Sequence, residues 1–164
     1  VSIFQADYQA RAFGVDMDWG MAQAALQMYG PQTGSVYAVG SLPFLPYAPA
    51  SFDLITATNV IYLVDDPAAA LREAARLLKP GGDFVMLNPS EHMSIAAATT
   101  LADEKGLSGF ARDNFIHWGE VAEAQYRWSE ADIQGLFGQA GLKLTETRTR
   151  VGPGLARYAR GQKV

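Results

Sequence analysis

The sequence predicts an α/β fold: a doubly wound, mostly parallel sheet that closes on a C-terminal antiparallel hairpin. Two observations carry the parallel part. The segments "RAFGVD" (11–16), "SVYAVG" (35–40), "FDLITAT" (52–58) and "DFVMLNP" (83–89) are almost continuously apolar, as strands covered on both faces are. Helical patterns separate them, the alternation that builds parallel sheets. A third observation carries the hairpin: "LKLTETRTRV" (142–151) and "LARYAR" (155–160) flank the turn "GPG".

Taken in order, residues 2–10 place Ile3, Phe4, Tyr8 and Ala10 at helix-like intervals, suiting the tail of an amphipathic helix. "RAFGVD" is a short buried strand stopping at an acid. Met21, Ala24, Ala25 and Met28 then share one helical face, and Gly30-Pro31 is expected to end that helix. After "SVYAVG", the proline-rich "SLPFLPYAPAS" (41–51) can enter neither helix nor sheet interior and must be a loop. "FDLITATNVIYLV" (52–64) reads as a strand covered on both sides. Asp66 caps and Pro67 opens a helix expected to bury Leu71, Ala74, Ala75 and Leu78, with Arg72, Glu73, Arg76 and Lys79 toward water and "KPGG" (79–82) ending it.

Residues 91–128 read as helical, with no strand, and gather Phe110, Phe115, Trp118, Trp128 and both histidines; they form a candidate lid. Ser129 and Asp132 form a capping box for a helix through Ala140, closed by Gly141. The apolar phase of the next strand slips near Thr145, predicting a bulge or an exposed edge. No repeat or interdomain linker interrupts the chain, so residues 1–164 read as one domain.

A net charge of -4 and a pI of about 5.1 leave the surface without the positive field that phosphate backbones need, which argues against nucleic acid as a partner. No apolar stretch is long enough to cross a bilayer, and no membrane partner is expected. With no cysteine there is no disulfide or thiolate metal site; a cytoplasmic setting is expected. His92 and His117 stand apart in a pattern that offers no metal geometry, and neither a G-x-S-x-G elbow nor a P-loop occurs.

The segments "GVDMD" (14–18), "VGSLPFLPYAPASFDLI" (39–55), "TNVIYLVDDP" (58–67) and "LLKPGGDFVMLNPS" (77–90) stand in an order and spacing that resemble the class I S-adenosylmethionine-dependent methyltransferases, in particular the small-molecule group. The resemblance implies a Rossmann-like fold, S-adenosylmethionine as cofactor, and direct displacement of its methyl group by a small-molecule acceptor. In that family a first strand and a glycine-rich loop precede the helix leading into "GVD". Residues 1–10 look like the remainder of that helix, so the chain reads as N-terminally truncated, with first strand and glycine loop missing. The family's strand order puts the missing strand between those at about 12–16 and 53–58, which are therefore expected not to pair with each other.

The same resemblance assigns site residues. Asp16, ending its strand at the carboxyl edge, accepts without donating and matches a ribose diol; its alternative is a helix cap, a role Asp18 fills equally well. Met17 lies against the adenine face or fills a core gap. Where the family commonly has Gly-Asp, this chain has Gly40-Ser41, and a serine hydroxyl accepts the adenine amino group without a charge. Leu42 offers its backbone N–H to the ring. Asn59 faces the methionyl part or turns the chain, and Tyr62 faces the methyl donor or the core, the core being the better reading. His92 and His117 are candidate general bases or solvent-facing loop residues. Arg112 pairs with an acidic acceptor or is a solvated charge. Trp118, Tyr126 and Trp128 wall an acceptor pocket or pack the core. Displacement needs no obligatory catalytic side chain, so none is assigned. Two rival readings are a nucleotide-binding oxidoreductase, in which Asp16 again holds a ribose, and a non-catalytic methyltransferase-like domain. The cofactor reading requires Asp16 and the turn after Val39 to converge.

Overall fold

The computed structural model describes residues 10–164, of residues 31–33 the backbone only. The helix expected over residues 2–10 therefore lies almost wholly outside the described residues. The chain forms two compact units, one up to Tyr47 and one from Ala48 to Val164.

The first unit is one strand-helix-strand repeat: β1 (Phe13–Asp16), α1 (Trp19–Thr33) and β2 (Val36–Val39). β1 and β2 run parallel, in register from Phe13 opposite Val36 to Asp16 opposite Val39. Gly14 leaves room for the ring of its ladder partner Tyr37, which a Cβ there would meet at 2.5 Å. Asp18 caps α1, accepting from the Met21 amide at 2.8 Å. The helix does not stop at Gly30-Pro31 as expected. It continues to Thr33 and closes on Gly34, whose φ of 62° suits glycine and whose amide donates to the Gly30 carbonyl. Nor is the expected face buried: Met21 and Met28 are exposed, whereas Ala22 is buried. Apolar side chains lie all around this helix, so spacing alone does not select a face.

The second unit contains β3 (Phe52–Thr58), a 3-10 turn (Ile61–Leu63), α2 (Pro67–Leu77), β4 (Leu78–Pro89), α3 (Ile95–Glu104), α4 (Gly109–Ala124), α5 (Glu130–Gln139), β5 (Leu142–Arg150) and β6 (Ala156–Lys163). Its sheet has the order β3-β4-β6-β5, parallel at β3–β4 and antiparallel elsewhere. Asp66 caps α2 through the Ala69 amide, and Pro67 fills its first position.

Several expectations are corrected. Leu78 and "KPGG" belong to β4 rather than to the helix and its stop: Phe52 pairs with Leu78 and Leu54 with Asp83, so residues 79–82 bulge out of the ladder. Glu73 is buried rather than solvated, held by two 2.7 Å hydrogen bonds from Arg76 one turn on. The strand read through Val64 ends at Thr58, because Asn59 turns the chain at φ 55°. β3 is an edge strand with Leu54 exposed, so continuous apolarity overstated its cover. The slip near Thr145 is a register shift in β5, between Leu144 and Glu146.

The core lies where α2 and α5 cover β4 and β6: Leu71, Phe84, Met86, Ile133 and Phe137 are buried, with the Phe84 and Phe137 rings edge to face at 6.0 Å. A second cluster joins α3 and α4 over Leu155, built from Met93, Ala98, Leu101 and Ala122 with Phe115 and Trp118 at its margin. Both capping-box bonds at Ser129 and Asp132 form, and Gly141 follows α5 at φ 73°. Among the described residues no helix is long and apolar enough to cross a membrane.

Candidate functional site

In the first unit, the carboxyl ends of β1 and β2 bring Asp16 beside the turn after Val39. The ladder runs one step beyond the strands, with the Gly40 amide donating to the Asp16 carbonyl at 3.0 Å. Asp16 is not the helix cap: Oδ1 accepts from the Asp18 amide at 2.9 Å, which fixes the carboxylate, while among the described residues Oδ2 accepts nothing. Ser41 to Phe44 form a tight turn closed by the Phe44 amide on the Ser41 carbonyl at 2.9 Å, with the Leu42–Pro43 bond cis. The Ser41 hydroxyl donates weakly to the Leu42 carbonyl, at 3.3 Å, and keeps its lone pairs free. The Leu42 amide donates to no described residue. Met17 is 76% exposed and fills no core gap.

In the second unit the carboxyl end of β3 and β4 gathers a different set. The Asn59 amide donates to the Leu87 carbonyl, while among the described residues its side-chain Oδ1 is enclosed without a partner. Tyr62 is buried, and burial pushes its phenol up while the nearby Trp118 indole draws it partly back. Asn88 is 1% exposed; its Oδ1 accepts from the Tyr62 amide, and among the described residues its Nδ2 has no partner. Beyond β4, Trp128 forms a parallel bridge with Ser90, so the chain returns from α3 and α4 to the sheet's carboxyl edge. Tyr126 stacks on Trp128 at 5.9 Å, and its hydroxyl donates to the Asp65 carbonyl. The segment 91–128 thus is helical as expected, apart from this one-residue bridge.

Neither histidine sits among these groups. His92 and His117 are exposed and face Glu91 at 3.7 Å and Glu120 at 3.0 Å respectively. Arg112 is tied to Asp103 at 3.1 Å. Two features escaped the sequence reading. Asn88 is a polar residue inside an apolar strand, which was a usable signal. Arg157 occupies a buried position, its guanidinium donating to Glu91 at 2.7 Å, to the Trp128 carbonyl at 3.2 Å and to the Thr147 hydroxyl at 3.3 Å. Burial is the largest single influence and acts to raise the Glu91 carboxyl, but the Arg157 hydrogen bond, a bond from its own backbone amide and the attraction of Arg157 and His92 together outweigh it and hold that carboxyl below its usual range.

Comparison with known proteins agrees with this architecture. The methyltransferase domain family model matches residues 1–86. Malonyl-[acyl-carrier protein] O-methyltransferase from Hahella chejuensis is 35% identical over 77 residues, 47% of this chain and 27% of that protein. Arsenite methyltransferase from Aquipseudomonas alcaligenes is 34% identical over 92 residues, 56% of this chain and 23% of that protein. The matches thus span about a quarter of the length of these relatives. Among solved structures, the methyltransferase in complex with the Haloferax volcanii Trm112 methyltransferase activator superposes with a TM-score of 0.71 at 22% identity, covering 97% of this chain and 75% of that one. That likeness shows the shared Rossmann-like fold, and the family match over more than half the sequence shows that the chain belongs to the methyltransferase domain family.

Proposed function

We propose that the protein transfers a methyl group from S-adenosylmethionine to a small-molecule acceptor. The observation that carries this reading is the meeting of Asp16 with the Ser41–Leu42 turn at one end of the β1–β2 pair. An open carboxylate oxygen, an undonated backbone N–H and an exposed apolar side chain, Met17, fit a nucleoside: the acid for the ribose diol, the N–H and the Ser41 hydroxyl for the edge of adenine, and Met17 for its face. Asn59, in the other unit, is assigned on its own geometry to the amino-acid end of the cofactor. When bound, S-adenosylmethionine supplies an electrophilic methyl group on its sulfonium.

The chain's part is then to hold and orient, which contributes about 7–11 kcal/mol in well-aligned reactions without any covalent step by the protein. Residues 91–128 are the acceptor-binding lid in this reading. Tyr126 and Trp128 are its wall and the α3–α4 pair its cover, excluding water from the methyl group. Calorimetric titration with S-adenosylmethionine tests the proposal. Binding that weakens about 10- to 100-fold in Asp16→Ala supports it. A folded protein that takes up no heat refutes it and favours the non-catalytic reading. Exchange of residues 91–128 with those of a relative tests the lid: acceptor preference moves with the segment, and an unmoved preference refutes that assignment.

A further inference from the structure

The segment 91–128 leaves the sheet after Ser90 and rejoins it at Trp128, and one guanidinium reaches both points. Arg157 stands on β6 opposite Asn88 and is buried. Toward the departing end, its Nη2 donates to Glu91 Oε1 at 2.7 Å and its Nε to Oε2 at 3.4 Å. Toward the returning end, the same Nε donates to the Trp128 carbonyl at 3.2 Å. Nη1 donates to the Thr147 hydroxyl on β5 at 3.3 Å, with Glu130 Oε2 at 3.9 Å. The bridge itself is held loosely, since the Trp128 amide meets the Pro89 carbonyl only at 3.3 Å. Among the described residues no hydrogen bond joins Glu91 to Trp128 directly; Arg157 is what links them. A buried charge gains little over a well-packed apolar side chain, so packing alone does not account for an arginine here. What it adds is shape: a planar fork of donors that serves three chain segments at once, which neither an apolar side chain nor a lysine can do.

We propose that Arg157 is a positioning residue: it fastens both ends of segment 91–128 to the sheet and so sets Trp128, with Tyr126 stacked on it, as the wall of the acceptor pocket. This rests on the lid reading and adds to it the group that fixes the lid's two ends. Arg157 acts on the acceptor through the Trp128 carbonyl and not by contact.

Fluorine NMR of the full chain carrying 5-fluorotryptophan tests this. Trp19, Trp118 and Trp128 each give a resonance, and Trp128→Phe identifies the last. In Arg157→Met the Trp128 resonance of the folded chain shifts, while that of Trp19, in the first unit, stays in place. A residue that only stabilises would leave all native resonances where they are and merely add those of the unfolded chain. Glu91→Ala shifts the Trp128 resonance when Arg157 is present and not in the Arg157→Met background. Arg157→Lys keeps the charge without the fork and shifts the resonance as Arg157→Met does, which answers the question should the latter fail to fold. A Trp128 resonance that stays put in both Arg157 variants overturns the proposal. So does a Glu91→Ala shift of equal size in the two backgrounds, because Glu91 then reaches Trp128 by another route. The lid reading fails separately: if exchange of residues 91–128 leaves acceptor preference unmoved while Trp128 still answers to Arg157, the clamp stands and only its service to an acceptor falls.

Discussion

Replacing Arg157 by Met removes the guanidinium that ties β6 to the loop after β4 and to the segment before α5, while keeping most of the aliphatic stem. Arg157 is 6% exposed. Breaking one side of a fully buried ion pair costs about 3–5 kcal/mol. Glu91, however, is one-third exposed and can turn to water, which removes much of that cost. The Trp128 carbonyl and Thr147 hydroxyl also lose a donor, about 1 kcal/mol each. The expected destabilisation is about 2–3 kcal/mol, a fall in Tm of about 5–10 °C for a chain of this size. It depends on pH with a definite sign. Because the folded Glu91 carboxyl lies below its unfolded value, its stabilisation is complete above about pH 4.3 and fades as pH drops through the folded value. The deficit of Arg157→Met should therefore be full at pH 7 and shrink toward pH 3. Urea melts of wild type, Arg157→Met, Glu91→Gln and the double variant across that range measure it. A deficit under about 0.5 kcal/mol, or single effects that simply add, would falsify the reasoning.

Gly119 packs against α3 so closely that a Cβ would meet the Ser94 carbonyl at 3.0 Å and the Ala98 Cβ at 3.2 Å; Gly119→Ala should destabilise by about 1–3 kcal/mol in denaturant melts. Ser129→Ala removes one arm of the capping box and should cost about 1 kcal/mol, read the same way; it also frees the Asp132 carboxyl, which the Ser129 hydroxyl holds low, so this cost too diminishes in acid. Asp18→Ala and Asp16→Asn should behave oppositely. The first removes the α1 cap and about 1 kcal/mol of stability, whereas the second leaves melting unchanged and weakens S-adenosylmethionine binding, as paired melts and calorimetry on the two variants would reveal.

Element type was legible wherever short-range chemistry decides it. Asp66-Pro67 and Ser129–Asp132 start helices through local bonds, and the prolines after Ser41 break any repeat. The phase slip at Thr145 appeared as a register shift because a strand's two faces leave no other way to absorb an extra residue. What failed depends on distant neighbours. The buried face of α1 could not be read from a helix apolar all round, and the burial of Glu73 follows from the guanidinium of Arg76 rather than from its own polarity. The meeting of Asp16 with the turn at Gly40 was legible because both positions lie at the strand ends of one simple repeat. Arg157 was not, since its partner Glu91 lies 66 residues away in sequence; Asn88 stood out as a polar residue in an apolar strand, but the Tyr62 amide that it accepts from lies 26 residues away.

The parallel bridge between Ser90 and Trp128 makes the helical excursion between them a closed cassette whose two mouths coincide. Closing a longer flexible loop costs only about 0.6 kcal/mol for each doubling of its length, so the sheet is nearly indifferent to what is spliced in there. Descendants of such a chain can exchange the cassette wholesale while the scaffold beneath it never has to be reinvented.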